Sequence, residues 1–267
     1  MTEIAALWRA SWLDASSYRL RMLFTLLGLV LSALPFYFVA QALQGVMASS
    51  IQQEGGQYFA FVVVGMVTFA FMRTAITALP EELNTAISTG TLEALLGTPA
   101  KLPMLLAGLV AYAFTWTAIR SVTLVAFALA MGMHLVWSRL LLGLGVLVLV
   151  VAVHLAFGIL GASLILAFRA TGPVQNLILW VSTMLGGIYY PTEVIPEWLR
   201  GVTAFVPMTY GARALRKVLL EQDFTWTAVA WDVGALTCIG VVLGAVSLLA
   251  FAWALRYARE AGTLAQY

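Results

Sequence analysis

Long apolar runs separated by short polar connections dominate the chain. Runs near the roughly 20 residues that a bilayer-crossing helix needs fall at about 22–43, 58–80, 102–133, 140–168, 174–190 and 228–255. They predict an all-α membrane protein with six transmembrane helices, the fifth barely long enough. The pieces between the runs are amphipathic. In EIAALWRASWLDASSYRL, residues 3–20, Ile4, Leu7, Trp8, Trp12 and Ala15 recur at near-helical spacing, which predicts a helix lying in the interface plane. STGTLEALLGTP, residues 88–99, predicts a short helix: Leu92, Leu95 and Leu96 can bury themselves, and Glu93 sits in the first turn, where a carboxylate suits the helix dipole. Gly97, Thr98 and Pro99 then read as a stop.

The segment 191–226 predicts two further short helices. The first begins near Pro196 and carries Trp198, Leu199, Val202, Phe205 and Val206 on one side. The second follows Pro207, with Thr209 as a candidate N-cap and with Arg213, Arg216 and Lys217 opposite Leu215, Val218 and Leu219. Both are too short to span, and can dip into a leaflet where protein shields their backbone. Trp198 and Phe205 are expected to bury against the spans and close the outer end.

Composition agrees with the pattern. The chain of 267 residues is 62% hydrophobic and 10% charged, with mean hydropathy +0.96, against roughly 45–50% apolar in soluble domains. A formal charge of +2 supports no nucleic-acid partner. The single cysteine, Cys238, precludes a disulfide within the chain. The 21 residues before the first run, with Glu3 and Asp14 among them, argue against a cleaved signal peptide. Basic residues set the orientation. With the N-terminus cytoplasmic, the inner side carries Arg9, Arg19, Arg21, Arg73, Lys101, Arg169, Arg256 and Arg259; the outer side carries Arg139, Arg200, Arg213, Arg216 and Lys217. The excess places both termini inside.

Candidate chemistry is sparse. A zinc protease needs His-Glu-x-x-His, yet His134 and His154 are each followed by leucine. Gly161-Ala162-Ser163-Leu164-Ile165 lacks the second glycine of a nucleophile elbow, and His154 lies on the same helix. Neither a catalytic residue nor a metal site is expected. An ion-coupled secondary transporter, the alternative reading, would place carboxylates within spans; its best candidate, Asp232, lies about one turn inside the last run. Three polar groups fall within the spans. Arg120 either bonds backbone carbonyls or a polar neighbour, or lines a substrate path; Arg73 can snorkel; His154 reads as a packed neutral histidine. Gly240 and Gly244 mark a close-approach surface. Phe36, Tyr37, Phe38, Trp116, Tyr189 and Tyr190 form either an interfacial belt or an aromatic path.

GTLEALLGTP at 90–99, with Tyr190-Pro191, Ile195-Pro196-Glu197-Trp198-Leu199 and Pro207-Met208-Thr209-Tyr210 after the fifth run, resembles the permease subunits of type-two ABC exporters, a family that includes polysaccharide, teichoic acid and drug export permeases. The order of signatures and the length match over essentially the whole chain. The resemblance implies that the loop 81–100 holds a coupling helix (Thr91, Leu92, Glu93, Leu95, Leu96, Thr98, Pro99) seated on a separate ATPase subunit, touched also by Trp8 and Trp12. It implies outer gate helices in 191–226, with Pro191, Pro196, Trp198, Phe205, Pro207 and Tyr210 as gate residues. It also implies a homodimer with two ATPase copies in a bacterial plasma (inner) membrane. The chain itself would bind no cofactor, ATP and Mg residing on the partner. Its only lysines, Lys101 and Lys217, stand outside any Gly-Lys-Ser/Thr, so an ATPase driving it must be another polypeptide. The cargo implied is amphipathic, glycan, lipid-linked or drug-like.

Overall fold

The structure is a computed structural model that describes residues 2–91, 97, 102–168 and 173–260. Among the described residues there are nine α-helices: α1 (Thr2–Ser17), α2 (Arg19–Met47), α3 (Tyr58–Ser88), α4 (Leu102–Ala130), α5 (Leu140–Phe168), α6 (Pro173–Leu185), α7 (Glu197–Thr203), α8 (Pro207–Leu220) and α9 (Trp226–Glu260). Short 3-10 turns at Gln52–Glu54, Trp137–Arg139 and Thr192–Val194 lie in the connections. No strand occurs among the described residues.

Five helices, α2, α3, α4, α5 and α9, are long and apolar enough to cross a membrane. The run expected as a fifth span differs. Its helix, α6, has 13 residues, a rise of about 20 Å at 1.5 Å per residue, and so falls short of a hydrocarbon core of about 30 Å. Gly186 and Gly187 end it, Gly187 adopting φ +68°, a left-handed conformation that a side chain would resist.

α3 is the axis of the bundle. In its apolar window 61% of residues are buried, against 6% for α2 and 11% for α9. Its first turns, Tyr58 to Val64, form one core with Leu124 and Ala128 of α4 and Ala214, Leu215 and Val218 of α8. Its last turns, through Leu79 and Leu83, form another with Ala162, Ile165 and Leu166 of α5 and Ala254 of α9. The helix runs eight residues past the run that predicted it, through Pro80 to Ser88. Gly158 of α5 lets the two central helices touch, since a Cβ there would collide with the Ala75 carbonyl oxygen of α3. Of the predicted glycine pair only Gly240 is a contact point, against Val153; a Cβ on Gly244 would meet open space.

Three connections gather at one end of the bundle. Gln57 donates to the Gly132 carbonyl and accepts from the His134 amide, the Val136 amide donates to the Leu219 carbonyl, and Arg139 donates to the Val218 and Gln222 carbonyls. The segments 48–57, 131–139 and 186–225 therefore share a pole, the grouping that alternate crossing requires.

Gly158→Val is expected to overpack the contact of α3 with α5 and to cost about 1–3 kcal/mol, read as a lowered thermal midpoint in detergent. Gly244→Ala, in open space, should leave the midpoint no lower, since alanine suits a helix interior better than glycine.

Candidate functional site

Two polar features stand out in this apolar bundle: a charged knot at the pole just described and a groove along the middle of α3 and α4.

The knot is built on α8. Pro207 occupies its first turn and needs no amide partner. Thr209, expected as the N-cap, lies within the first turn instead, with Val206 preceding the helix, and its hydroxyl donates to the Leu185 carbonyl. The three basic residues expected on one polar face divide. Arg213 donates through Nε to Asp232 Oδ1 at 2.8 Å and also pairs through Nη2, and Lys217 reaches Asp232 Oδ2 at 3.4 Å. Arg216 turns inward and is 2% exposed. Its Nε donates to the Phe61 carbonyl at 3.0 Å, Nη1 to Glu54 Oε2 at 3.2 Å and Nη2 to the Ile188 carbonyl at 2.9 Å, while the guanidinium lies 3.4 Å from the Phe61 ring centroid. Gly65 makes room for this, because a Cβ there would collide with the Ile188 carbonyl and Arg216 Nη2. Burial pushes the Glu54 carboxyl up from its ordinary value, and the Arg216 charge opposes that push. Asp232, the acid that an ion-coupled mechanism would need, is a nearly buried counter-ion for two cations.

The groove has a volume of about 390 Å³. From α3 it takes Met66, Val67, Phe69, Ala70, Arg73, Thr74, Thr77 and Glu81; from α4 it takes Thr117, Arg120, Ser121 and Leu124. Both sets follow the i, i+3, i+4, i+7 stripe of one helix face. Leu29 and Tyr189 complete the lining. From Met66 to Glu81 the stripe climbs 15 residues, about 22 Å, most of the thickness of a hydrocarbon core. Thr74 and Thr117 share a hydroxyl hydrogen bond of 2.7 Å that ties the two walls together. Ser121 Oγ is buried without a partner. Arg73 falls 15 residues from either end of α3, not near an end as expected for snorkelling, and both Arg73 and Arg120 are exposed to the groove. Among the described residues neither has an ion-pair partner. His154 is elsewhere. It is fully buried on α5, its Nδ1 2.7 Å from the Val150 carbonyl and its Nε2 without a partner.

The aromatic residues that read either as an interfacial belt or as a path are dispersed. Phe36 stacks on Tyr189 at 5.6 Å, which brings that pair to the groove. Tyr37 packs edge-on against Phe59, Phe38 is exposed, Trp116 is half-buried outside the groove lining, and the Tyr190 hydroxyl donates to the Met184 carbonyl. Among the expected gate residues, Pro191 and Pro207 are buried, and Tyr210 donates to the Ala204 carbonyl beneath Arg213. Pro196 is exposed. Trp198 and Phe205 are the clear correction: they are 80% and 84% exposed. α7 has only seven residues and touches the rest chiefly through the neighbouring Thr192–Val194 turn and α6, so its apolar face points outward.

At the opposite end α1 is clamped to α4. Trp8 Nε1 donates to Thr115 Oγ1 at 3.0 Å, Trp8 stacks on Trp12 at 5.9 Å, Trp12 meets Tyr112 edge-on, and the Leu7 side chain fills the space over Gly108. Leu92, Glu93, Leu95, Leu96, Thr98 and Pro99 lie outside the described residues; Thr91 is exposed, within hydrogen-bond reach of Thr89.

The sequence reading missed the Glu54–Arg216 pair and the Thr74–Thr117 tie. An arginine on an amphipathic helix reads as solvated, and the one available signal was Glu54, an acid in the short connection between two apolar runs.

Five long apolar helices define a multi-pass membrane protein. The chain belongs to the ABC-2 type transporter family, whose model matches residues 2–220, and is thereby a membrane transport component. It is 26% identical over 239 residues to Nodulation protein J of Rhizobium leguminosarum bv. trifolii, covering 89% of this chain and 88% of that protein.

Removing one partner of the buried pair leaves an unpaired charge and typically costs about 3–5 kcal/mol. Arg216→Ala is therefore expected to lower the thermal midpoint far more than Arg139→Ala, whose contacts are half-buried or exposed. Equal midpoints would show that the knot is dispensable.

Proposed function

We propose that this chain is the transmembrane subunit of an ATP-driven exporter, working as a homodimer with two copies of a separate ATPase and moving cargo outward along the groove between α3 and α4. The observation that carries the reading is the groove itself: a lined face of two central helices about 22 Å long, apolar towards Met66 and polar from Arg73 to Glu81 and from Thr117 to Ser121, in a chain whose family transports. Membership of the ABC-2 type transporter family supports an ATPase partner, and these 267 residues contain no Gly-Lys-Ser/Thr, in keeping with the phosphates being bound elsewhere. The apolar exposed faces of α2 and α9 offer surface to lipid and to the second copy. In this reading α6, together with the non-helical stretch after it, makes the sixth crossing, both termini are cytoplasmic and the membrane is a bacterial plasma membrane. The segment 191–226 then lies outside. Trp198 and Phe205, being exposed, serve there as contacts for the outer leaflet or the second copy rather than as a plug.

The connection between α3 and α4 gives the mechanism. It contains the coupling segment around Leu92, Glu93, Leu95 and Leu96, and it joins the two helices that wall the groove. ATPase closure pressing on this segment moves the ends of both walls, and the α1 clamp carries a second push to α4 through Trp8 and Thr115. ATP shifts the population towards an outward-open groove by binding one arrangement better than the other. The cargo is amphipathic, glycan, lipid-linked or drug-like.

Cysteines introduced within 191–226 should be labelled from outside intact cells, and those within 81–100 should not; the reverse pattern overturns the orientation. Glu93→Lys should leave the permease folded but weaken co-purification with its ATPase or uncouple ATP hydrolysis in the reconstituted complex, with Glu93→Gln milder, because a lysine both opposes the helix dipole and repels a basic partner, each worth about 0.3–1 kcal/mol. Wild-type assembly and coupling after deletion of residues 92–96 would end the coupling-segment reading.

A further inference from the structure

The groove holds two arginines in surroundings where an uncompensated charge is costly. Arg73 sits at the midpoint of α3 and Arg120 ten residues from the end of α4, and neither has an acid in contact among the described residues. The other basic groups near buried positions are treated differently: Arg213, Arg216 and Lys217 all have carboxylate partners. The three cations of the knot are matched by carboxylates, whereas these two face one cavity in the middle of their spans with no acid in contact among the described residues.

A third group makes the cavity more than a place where two arginines hide. The hydroxyl of Ser121, one residue from Arg120, is buried against the groove with no partner, and a buried donor without an acceptor is expensive. Thr74 and Thr117 satisfy each other and hold the two arginine-bearing faces in register. Glu81 is the one carboxylate in the lining; it lies eight residues beyond Arg73 on α3, about 12 Å along the axis, so it marks the far end of the cavity rather than neutralising its centre. Two guanidinium forks and an unsatisfied hydroxyl around a space of about 390 Å³ complement a dianion with several acceptor oxygens, and guanidinium geometry suits phosphate oxygens in particular.

We propose that the cavity between α3 and α4 is an anion site in which Arg73, Arg120 and Ser121 hold a phosphate or diphosphate ester group. The inference deepens the transport reading, on which it rests for the direction of travel: cargo carrying such a group is gripped midway by the two arginines, and cargo lacking it passes without that hold. A phosphorylated lipid headgroup entering sideways and a water-borne phosphate ester would meet the same donors.

The test uses the full chain in lipid nanodiscs, with radiolabelled pyrophosphate as the free probe and phosphatidic acid in a phosphatidylcholine bilayer as the lipid probe. The wild-type chain should retain at least one of them. Arg73→Gln and Arg120→Gln should each weaken retention about tenfold or more, the double variant should abolish it, and Ser121→Ala should weaken it less. Arg21→Gln, at the polar start of α2 away from the groove, should bind as the wild type does. Arg73→Lys and Arg120→Lys, which keep the charge, guard against misfolding of the glutamine variants by retaining part of the binding. Retention of phosphatidic acid alone assigns the site to a lipid headgroup; retention of pyrophosphate as well assigns it to the phosphate group itself. If the wild type retains neither probe above a phosphatidylcholine control, or the double variant binds normally, the anion site is wrong. Assembly with the ATPase and its nucleotide-dependent coupling, measured on the same preparations, report on the transport reading separately, so the two can fail independently.

Discussion

The burial of Arg216 is the constraint around which one whole end of the molecule is arranged. A guanidinium has five donors and cannot shed its charge, so placing it among Phe61, Ile188 and Glu54 obliges three separate segments to present acceptors at fixed positions. The first turn of α3 supplies a carbonyl, the connection from α2 supplies a carboxylate, and the stretch after α6 supplies a second carbonyl. Each of these lies in a region where regular structure stops or starts, and where backbone groups would otherwise lack partners in an apolar setting. One side chain on a 14-residue helix thus ties three separate segments together through its donors. The second anchor, Asp232 with Arg213 and Lys217, attaches the same helix to the start of α9. α8 is therefore held on both flanks by charge, although it is far too short to be held by span length.

Rigidity at that pole contrasts with the groove. There a hydroxyl pair, Thr74 with Thr117, links the two walls beyond the apolar core that α4 shares with the start of α3, and the middle of the lining carries Arg73, Thr74, Thr77, Thr117, Arg120 and Ser121. Contact between α3 and α5, by comparison, is backbone-close at Gly158 and continuous with the apolar core around Leu79, Leu83 and Ile165. A helix bound tightly on one face and loosely on the other has an obvious plane along which it can part from its neighbour. In α3 that plane is the one that carries the arginines.

Much of the fold was legible because span-length apolarity needs no tertiary information. The runs marking α2, α3, α4, α5 and α9 predicted these helices to within a few residues at most ends, and Pro207 and the periodicity of residues 3–20 located α8 and α1. What failed were inferences from local polarity about burial. The helical pattern puts Arg216 with Arg213 and Lys217 opposite Leu215, Val218 and Leu219, yet its partners come from residues 54, 61 and 188, separations that no local pattern encodes. Trp198 and Phe205 were read as buried because they are large and share a face, but burial needs an opposing surface, and within one copy of the chain α7 has none. The 174–190 run was read as a full span because apolarity was continuous; the paired glycines at 186 and 187 were the signal that the helix ends early. For the groove, the sequence marked Arg73 and Arg120 as unusual but left their common cavity hidden, since two residues on different helices share a space only through the register of the helices between them.

The arrangement of α1 bears on how force could reach that register. Trp8 and Trp12 sit on the face of α1 that meets α4, with the Trp8 indole donating to Thr115 and Leu7 seated over Gly108. Thr115 lies less than two turns from Arg120 on one uninterrupted helix, and helices transmit axial and tilting displacement over such a distance with little loss because every intervening amide is hydrogen-bonded. A displacement of α1 therefore shifts the wall that bears Arg120 relative to the wall that bears Arg73, whose own helix is fixed at its start by the Arg216 knot. Both walls are held at the pole, α3 by the Arg216 knot and α4 through Leu124, Ala128 and the connection that follows it, so under the proposed function a push through α1 tilts α4 about that end and changes the separation of the two arginines. Under the proposed function, coupling then asks only for a change in how α3 and α4 lie against each other along the groove.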